Sequence, residues 1–310
     1  MPRVPPVDGA SLDAWCTDHL GSALAVELFR SGHLSEVIGV RLADAREVVV
    51  KVRSALPRVA ACVEVQRRVF EAGYPCPAPL AGPAPLGTGV ATAEAYVPGG
   101  DARPDGEHTA RLSAQAFSRL IRLSPRPAEV PSLDPAPSWA AWNHGGAGLW
   151  PRSEGSEIDL DAVGGPEWLD RVGSAARDRL RGGGGEIVIG HCDWLADNVR
   201  WQGDDLLVVH DWDSAVADTE AVLVGFAAAL YSTGGRDDLP TVEETDRFLA
   251  AYCDARGQPF SADELERAWA AGVWTRACDA KEQYVAGHAP AFLSESEARA
   301  RLRRAGLNQR

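Results

Sequence analysis

The chain has 310 residues, 45% hydrophobic and 24% charged, proportions that exclude disorder as its main state and leave enough apolar material for a sizeable core. Its 44 acidic and 31 basic side chains give a formal net charge of −13. That argues against nucleic acid as principal partner, because phosphate backbones are held by excess Lys and Arg; it suits a cationic small molecule, and serves solubility equally well.

Residues 11–20 read as a helix led by Ser11 as N-cap. Three Val-, Ile- and Leu-rich runs follow, Ala23–Phe29, Glu36–Leu42 and Glu47–Val52. With no helix between them, they predict an antiparallel meander. A helix is expected from about Val59 to Ala72, ended by Gly73 and the prolines 75, 77 and 79. Val90–Val97 reads as a further strand, stopped by Pro98-Gly99-Gly100. Beyond it, His108–Leu123 and Glu167–Leu180 read as helices flanking a loop-rich stretch, 125–156. The four glycines 182–185 lack a G-K-[ST] ending and open no helix, so they read as a linker. Short apolar strands are expected at Ile187–Ile189 and Leu206–Val209, and helices almost throughout from Thr219.

The expected fold class is α+β and bilobal: an antiparallel β-rich lobe, 1–97, and a larger mainly helical lobe, 98–310, with a ligand cleft between them. No fixed-period repeat is visible. The six cysteines show no C-x-x-C pair or zinc-ligand spacing, which fits reduced thiols. The first ten residues lack a signal-peptide core, and the longest apolar run, Ala221–Tyr231, is too short to span a bilayer. A cytoplasmic protein with no membrane partner is expected.

The chemistry concentrates in IVIGHCDWLADNVRW (187–201) and LLVVHDWDS (206–214). His191, Asp193 and Asn198 form H-x-D-x-x-x-x-N, and Asp211 ends the next strand. Phosphoryl transfer needs one carboxylate to hold the acceptor hydroxyl and take its proton, and hard oxygen ligands to hold Mg2+ between phosphates. Asp193 fits the base, Asn198 and Asp211 the metal ligands, and His191 a brace for the loop. As a metal site in its own right, the His191-Cys192-Asp193 run is disfavoured because adjacent side chains on extended backbone point oppositely. No G-x-S-x-G elbow or H-E-x-x-H helix occurs.

These residues resemble the aminoglycoside phosphotransferase family, small-molecule kinases with the protein-kinase fold. The match is specific over about 186–232 and weaker over 25–100. It departs from the family pattern at Cys192, where glycine is usual, and at WLAD (194–197). The resemblance implies ATP and Mg2+ as cofactors. It implies a strand lysine for the α/β-phosphates, matched by Lys51 in EVVVKV, and a carboxylate partner for it from the following helix, assigned to Glu64 with Glu71 as the alternative. A short loop over the phosphates matches Ser31-Gly32-His33-Leu34-Ser35, with Ser31, Gly32 and Ser35 as nucleotide contacts. A hinge for adenine matches Glu94–Gly99, with contacts at the Ala95 carbonyl and the Val97 N–H.

For the acceptor, Trp194 and Trp212 stand next to candidate catalytic residues, against a core role for most of the ten tryptophans. Asp213 could orient metal-bound water or meet a cationic acceptor. Asp279 and Glu282, three apart on a late helix, share a face; a solvated face is the plainer account of them. The function expected is transfer of the γ-phosphoryl group of ATP to a hydroxyl of a small molecule, an aminoglycoside-like or other cationic antibiotic. A metabolite kinase acting on an amino alcohol, sugar or nucleoside is the alternative, and a non-catalytic pseudokinase the reading from another class.

Overall fold

A computed structural model describes residues 6–32, 34–102, 107–152, 158–232 and 239–307. The N-terminal part is a five-stranded antiparallel sheet in the order β1-β2-β3-β5-β4, with β1 Leu24–Ser31, β2 Glu36–Leu42, β3 Glu47–Arg53, β4 Pro79–Leu86 and β5 Gly89–Ala95. Helix α1 (Gly9–Leu20) lies against one face. Alternation along β3 divides its side chains. Val48, Val50 and Val52 share a core with Leu12, Trp15 and Leu20 of α1, which leaves Val49, Lys51 and Arg53 on the other face.

Two details differ from expectation. Asp8, not Ser11, caps α1, its carboxylate accepting the Ser11 N–H at 2.9 Å. The proline-rich stretch, expected only to end the helix before it, runs into β4. It is an edge strand, where a residue without an N–H costs no ladder bond, and its pairing with β5 is irregular between Ala81 and Ala84.

Helix α2 (Arg58–Glu71) leaves the sheet and turns its apolar stripe, Ala61, Cys62, Val65 and Val69, into the larger core. That core belongs to the helical part: α3 (Glu107–Leu123), α4 (Glu167–Arg181), α5 (Glu220–Leu230), α6 (Val242–Arg256), α7 (Ala262–Val285) and α8 (Glu295–Arg304). At its centre α5 and α7 come so close that a Cβ on Gly225 would lie 2.1 Å from the Ala268 carbonyl oxygen. Two small hairpin-like pairs sit on this core: β6 (Ile187–His191) with β9 (Ala215–Thr219), and β7 (Val199–Gln202) with β8 (Asp205–Val209). Among the described residues no helix is long and apolar enough to cross a membrane.

Candidate active site

Strand β6 delivers His191 into the core and then stops. The imidazole is fully buried, and its Nε2 lies 3.0 Å from the carbonyl oxygens of both His210 and Asp211. Carbonyls only accept, so Nε2 carries the proton, and Nδ1 accepts the Asp193 N–H at 3.3 Å. Burial pulls the His191 pKa below the ordinary value, against the pull of Asp211, which suits this neutral tautomer. His191 therefore ties the Asp193 loop to the Asp211 turn. The indoles of Trp194 and Trp212 meet it edge-on at 6.0 and 5.8 Å.

Those two indoles are not acceptor contacts, contrary to expectation. Trp194 is completely buried, donates Nε1–H to Ser113 Oγ at 2.8 Å and packs edge-on against Phe117. Trp212 is buried against Tyr74 and donates to the Val209 carbonyl at 2.9 Å. Each lies beside a site residue in sequence, yet the loop turns the large apolar ring inward and leaves the carboxylate at the cleft.

Asn198 holds Asp193 in place: its Nδ2 donates to the Asp193 Oδ2 at 2.8 Å and to the Asp193 carbonyl at 3.0 Å. With both amide hydrogens directed there, Oδ1 is the free acceptor of Asn198. Burial, with the charge of Asp211 added, pushes the Asp193 carboxyl up to about 7 despite the Asn198 bond. Asp211 adopts a left-handed conformation, φ 59°, uncommon outside glycine but tolerated by Asp. Burial opposes its charge, but the cations Lys51 and Arg53 outweigh this and hold its carboxyl below the usual range. The hard oxygens of Asn198 and Asp211 suit Mg2+, which takes one or two protein oxygens and fills the rest of its shell with water and phosphate.

Lys51 and Arg53 face these acids from β3, each held as one rung of a short ladder. Lys51 Nζ lies 3.3 Å from Glu94 Oε1 and 3.6 Å from Asp211 Oδ1. Arg53 Nε lies 2.9 Å from Asp213 Oδ2, and its Nη2 donates to Thr92 Oγ1 at 2.8 Å. Burial alone would favour a neutral Lys51 amine; Glu94, Asp211 and Asp213 together hold it protonated above the ordinary lysine value.

Glu64 is thus not the partner of Lys51. It pairs with Arg67 and Arg68 on its own helix at 2.7 and 2.6 Å, and these bonds push its carboxyl down to about 2. The alternative, Glu71, pairs with Arg67 as well. Asp213 has one carboxylate oxygen, Oδ2, engaged by Arg53. Arg53 escaped sequence reasoning, in which Glu94 is only the start of the hinge and not the partner of Lys51. The signal for Glu94 was available: an acid inside the apolar run VATAEA requires a buried cation nearby, as Lys51 requires an anion.

The loop between β1 and β2 needs its glycine. Gly32 has φ +123°, and a Cβ there would lie 2.0 Å from the Ser35 carbonyl oxygen. Ser31 and Ser35 flank it, and His33 lies outside the described residues. After β5, the Ala95 N–H donates to the Ala78 carbonyl and the Tyr96 N–H to the Glu47 carbonyl. Alternation therefore turns the Ala95 carbonyl away from β3. Val97 follows in irregular backbone.

Asp279 and Glu282 are half-buried on α7 rather than on a solvated face. Ser138 donates its hydroxyl to Glu282 at 3.1 Å. Burial first, then the charges of Glu282 and Asp193, pushes the Asp279 carboxyl well above its ordinary range. Asp279 therefore stands within electrostatic reach of the Asp193 loop.

A family model described as the phosphotransferase enzyme family matches residues 25–271. The chain belongs to this phosphotransferase family. Its fold is that of protein-kinase-like phosphotransferases. The amicoumacin kinase solved with AMP-PNP and Ca2+ aligns at a TM-score of 0.60 and 10% identity, over 90% of this chain and 86% of that one. A spectinomycin phosphotransferase solved with ADP and spectinomycin aligns at 0.59 and 11%, over 96% and 94%. A choline/ethanolamine kinase family protein from Mesorhizobium loti aligns at 0.54 and 15%, over 96% and 93%. No curated protein matches the phosphotransferase in sequence.

Proposed function

We propose that this phosphotransferase moves the γ-phosphoryl group of ATP to a hydroxyl of a cationic small molecule, with Asp193 as the base. The observation that carries this reading is Asp193 itself. It is half-buried, aimed by Asn198 and His191, joined to no Lys or Arg by an ion pair among the described residues, and its carboxyl is raised to about 7. A carboxylate so poised near neutrality takes a hydroxyl proton efficiently. Lys51 would bind the phosphates, the Gly32 loop would cover them, and the Ala95 carbonyl and Val97 N–H would meet the base. Asn198 Oδ1 and the Asp211 carboxylate would hold Mg2+, which when bound neutralises charge between the phosphates. Asp279, with Glu282 beside it, stands within electrostatic reach of Asp193, and a cation brought there would favour the charged form of these carboxyls, which favours an acceptor bearing an amine. An aminoglycoside-like or other cationic antibiotic meets that requirement, in a resistance-type role. Two of the solved structures named above carry antibiotic names, in line with this class of acceptor.

The test is ATP consumption with Mg2+ across hydroxylated antibiotics and amino alcohols, with Asp193→Ala as control. Turnover confined to amine-bearing compounds and absent from the variant is expected. Turnover only with uncharged acceptors would overturn the cationic class, and failure to bind nucleotide would overturn the reaction.

A further inference from the structure

Lys51 has an unexpected carboxylate beside it. Neither acid of α2 serves it, because Glu64 and Glu71 are engaged by Arg67 and Arg68. Glu94 takes that place from the neighbouring strand. The register sets Glu94 opposite Val49 and Thr92 opposite Lys51, so Glu94 is the diagonal neighbour of Lys51 on the same face. Its side chain is buried, with Oε1 3.3 Å from the ammonium. The other oxygen accepts Gln66 Nε2–H at 2.8 Å, and that nitrogen also donates to the Pro77 carbonyl at 2.9 Å. Gln66 is itself buried and comes from α2. A continuous chain thus runs from α2 through Gln66 and Glu94 to Lys51 and on to Asp211.

We propose that Glu94 is the positioning residue of Lys51, and that Gln66 is the group through which α2 keeps it aimed. This rests on the reading of Lys51 as the phosphate-binding lysine. Of the two acids in ion-pair distance of Lys51 among the described residues, Asp211 is assigned to the metal. Glu94 then remains to fix the end of a side chain with four free torsions. Because Glu94 stands in the same sheet as Lys51, the contact is set by strand register. Gln66, with one hydrogen on Glu94 and one on a backbone carbonyl, locks the carboxylate in one orientation. The arrangement aims the lysine more than it attracts the nucleotide, since Glu94 lowers the positive charge that the phosphates meet.

The test is a double-mutant cycle on the full chain, using Glu94→Gln, Lys51→Ala and both together. Initial rates are measured with an acceptor that turns over, and the affinity of a fluorescent ATP analogue is measured without acceptor or metal. Glu94→Gln is expected to lower kcat about tenfold or more, as loss of a charge-assisted contact made for the transition state does, while affinity moves less than about threefold. In the Lys51→Ala background the same exchange should change kcat by less than about twofold, because its effect passes through Lys51. Gln66→Ala should give a smaller loss in the same direction. The exchanged pair Gln66→Glu with Glu94→Gln, which keeps the hydrogen bond and the charge, should recover part of the rate. Thermal unfolding establishes that each variant is folded; if Glu94→Gln is not, the cycle is run with Gln66→Ala instead. Additive losses with Lys51→Ala, or a wild-type kcat in folded Glu94→Gln, would overturn the proposal. A wild-type protein that binds no nucleotide would instead overturn the phosphotransfer reading beneath it.

Discussion

Asp193 stores a cost that the fold carries until substrate arrives. Unfolded, an aspartate gives up its proton near pH 3.8; folded, Asp193 keeps it to about pH 7. Between those values the folded protein holds the extra proton, so stability falls as pH rises through that window and stays low above it. Asp193→Asn should therefore stabilise the metal-free protein at pH 8 by up to about 4 kcal/mol, and show no such gain near pH 4. Urea titrations at both pH values would check this, and equal stability at pH 8 would contradict the raised carboxyl. Asp211→Asn should behave differently, weakening Mg-nucleotide binding about tenfold or more, whereas Asp193→Ala leaves it largely intact. Calorimetric titration with Mg-ATP separates the two. Asp193, Asn198 and Asp211 were legible in the sequence because local spacing suffices: one loop after a strand, and the end of the next strand. That Glu94 needs a buried cation was legible as well, but not that Lys51 supplies it, because a diagonal pair depends on which strands adjoin and in what register. The inward turn of Trp194 was also hidden, since proximity in sequence to Asp193 says nothing of side-chain direction on a bend.

At the scale of elements, α8 is fastened by an ion network rather than by apolar packing alone. Arg276 of α7 and Arg301 of α8 are both fully buried and share one carboxylate, Glu297, at 2.5 and 2.9 Å. Their remaining hydrogens go to the carbonyls of Ala229 and Pro240 and to Thr245. Burial, with the charge of Arg301 added, pulls Arg276 down to about 9. Glu297→Ala would leave two buried guanidiniums without the carboxylate they share and should cost about 3–5 kcal/mol, read as a lower urea midpoint. A change below about 1 kcal/mol, the worth of an exposed pair, would show the network to be ornamental. The helices of this region were legible from apolar periodicity, although the ties among them were not. Strand β4 failed for the opposite reason: its prolines mark a break by local rules, and only the edge position, a property of the whole sheet, makes them acceptable.

For the whole molecule, the question is whether the two lobes are separable. The chain order invites a division at 97, with the sheet and α2 on one side. The packing cuts across it, because Ala61, Cys62, Val65 and Val69 of α2 lie in the core with α3, α5 and α7, while the sheet shares its own core with α1. Polar ties cross at the same place. Arg53 meets Asp213, Arg58 donates to the Ala215 carbonyl at 2.5 Å, and the Val209 N–H donates to the Pro75 carbonyl at 2.9 Å. Residues 1–97 alone would expose four apolar side chains of α2, at about 1–3 kcal/mol each on full exposure for the larger ones, and would strip Arg53 of Asp213 and Arg58 of the Ala215 carbonyl. That fragment should therefore lack a cooperative thermal transition, and the full chain should unfold in one step with coincident tryptophan fluorescence and far-ultraviolet signals. Two separated transitions, or a folded fragment, would mean that α2 belongs to the sheet after all. The same docking bears on catalysis: since α2 is anchored in the helical core and Gln66 reaches from it to Glu94, any movement of the lobes that shifts α2 against the sheet also shifts the group that aims Lys51.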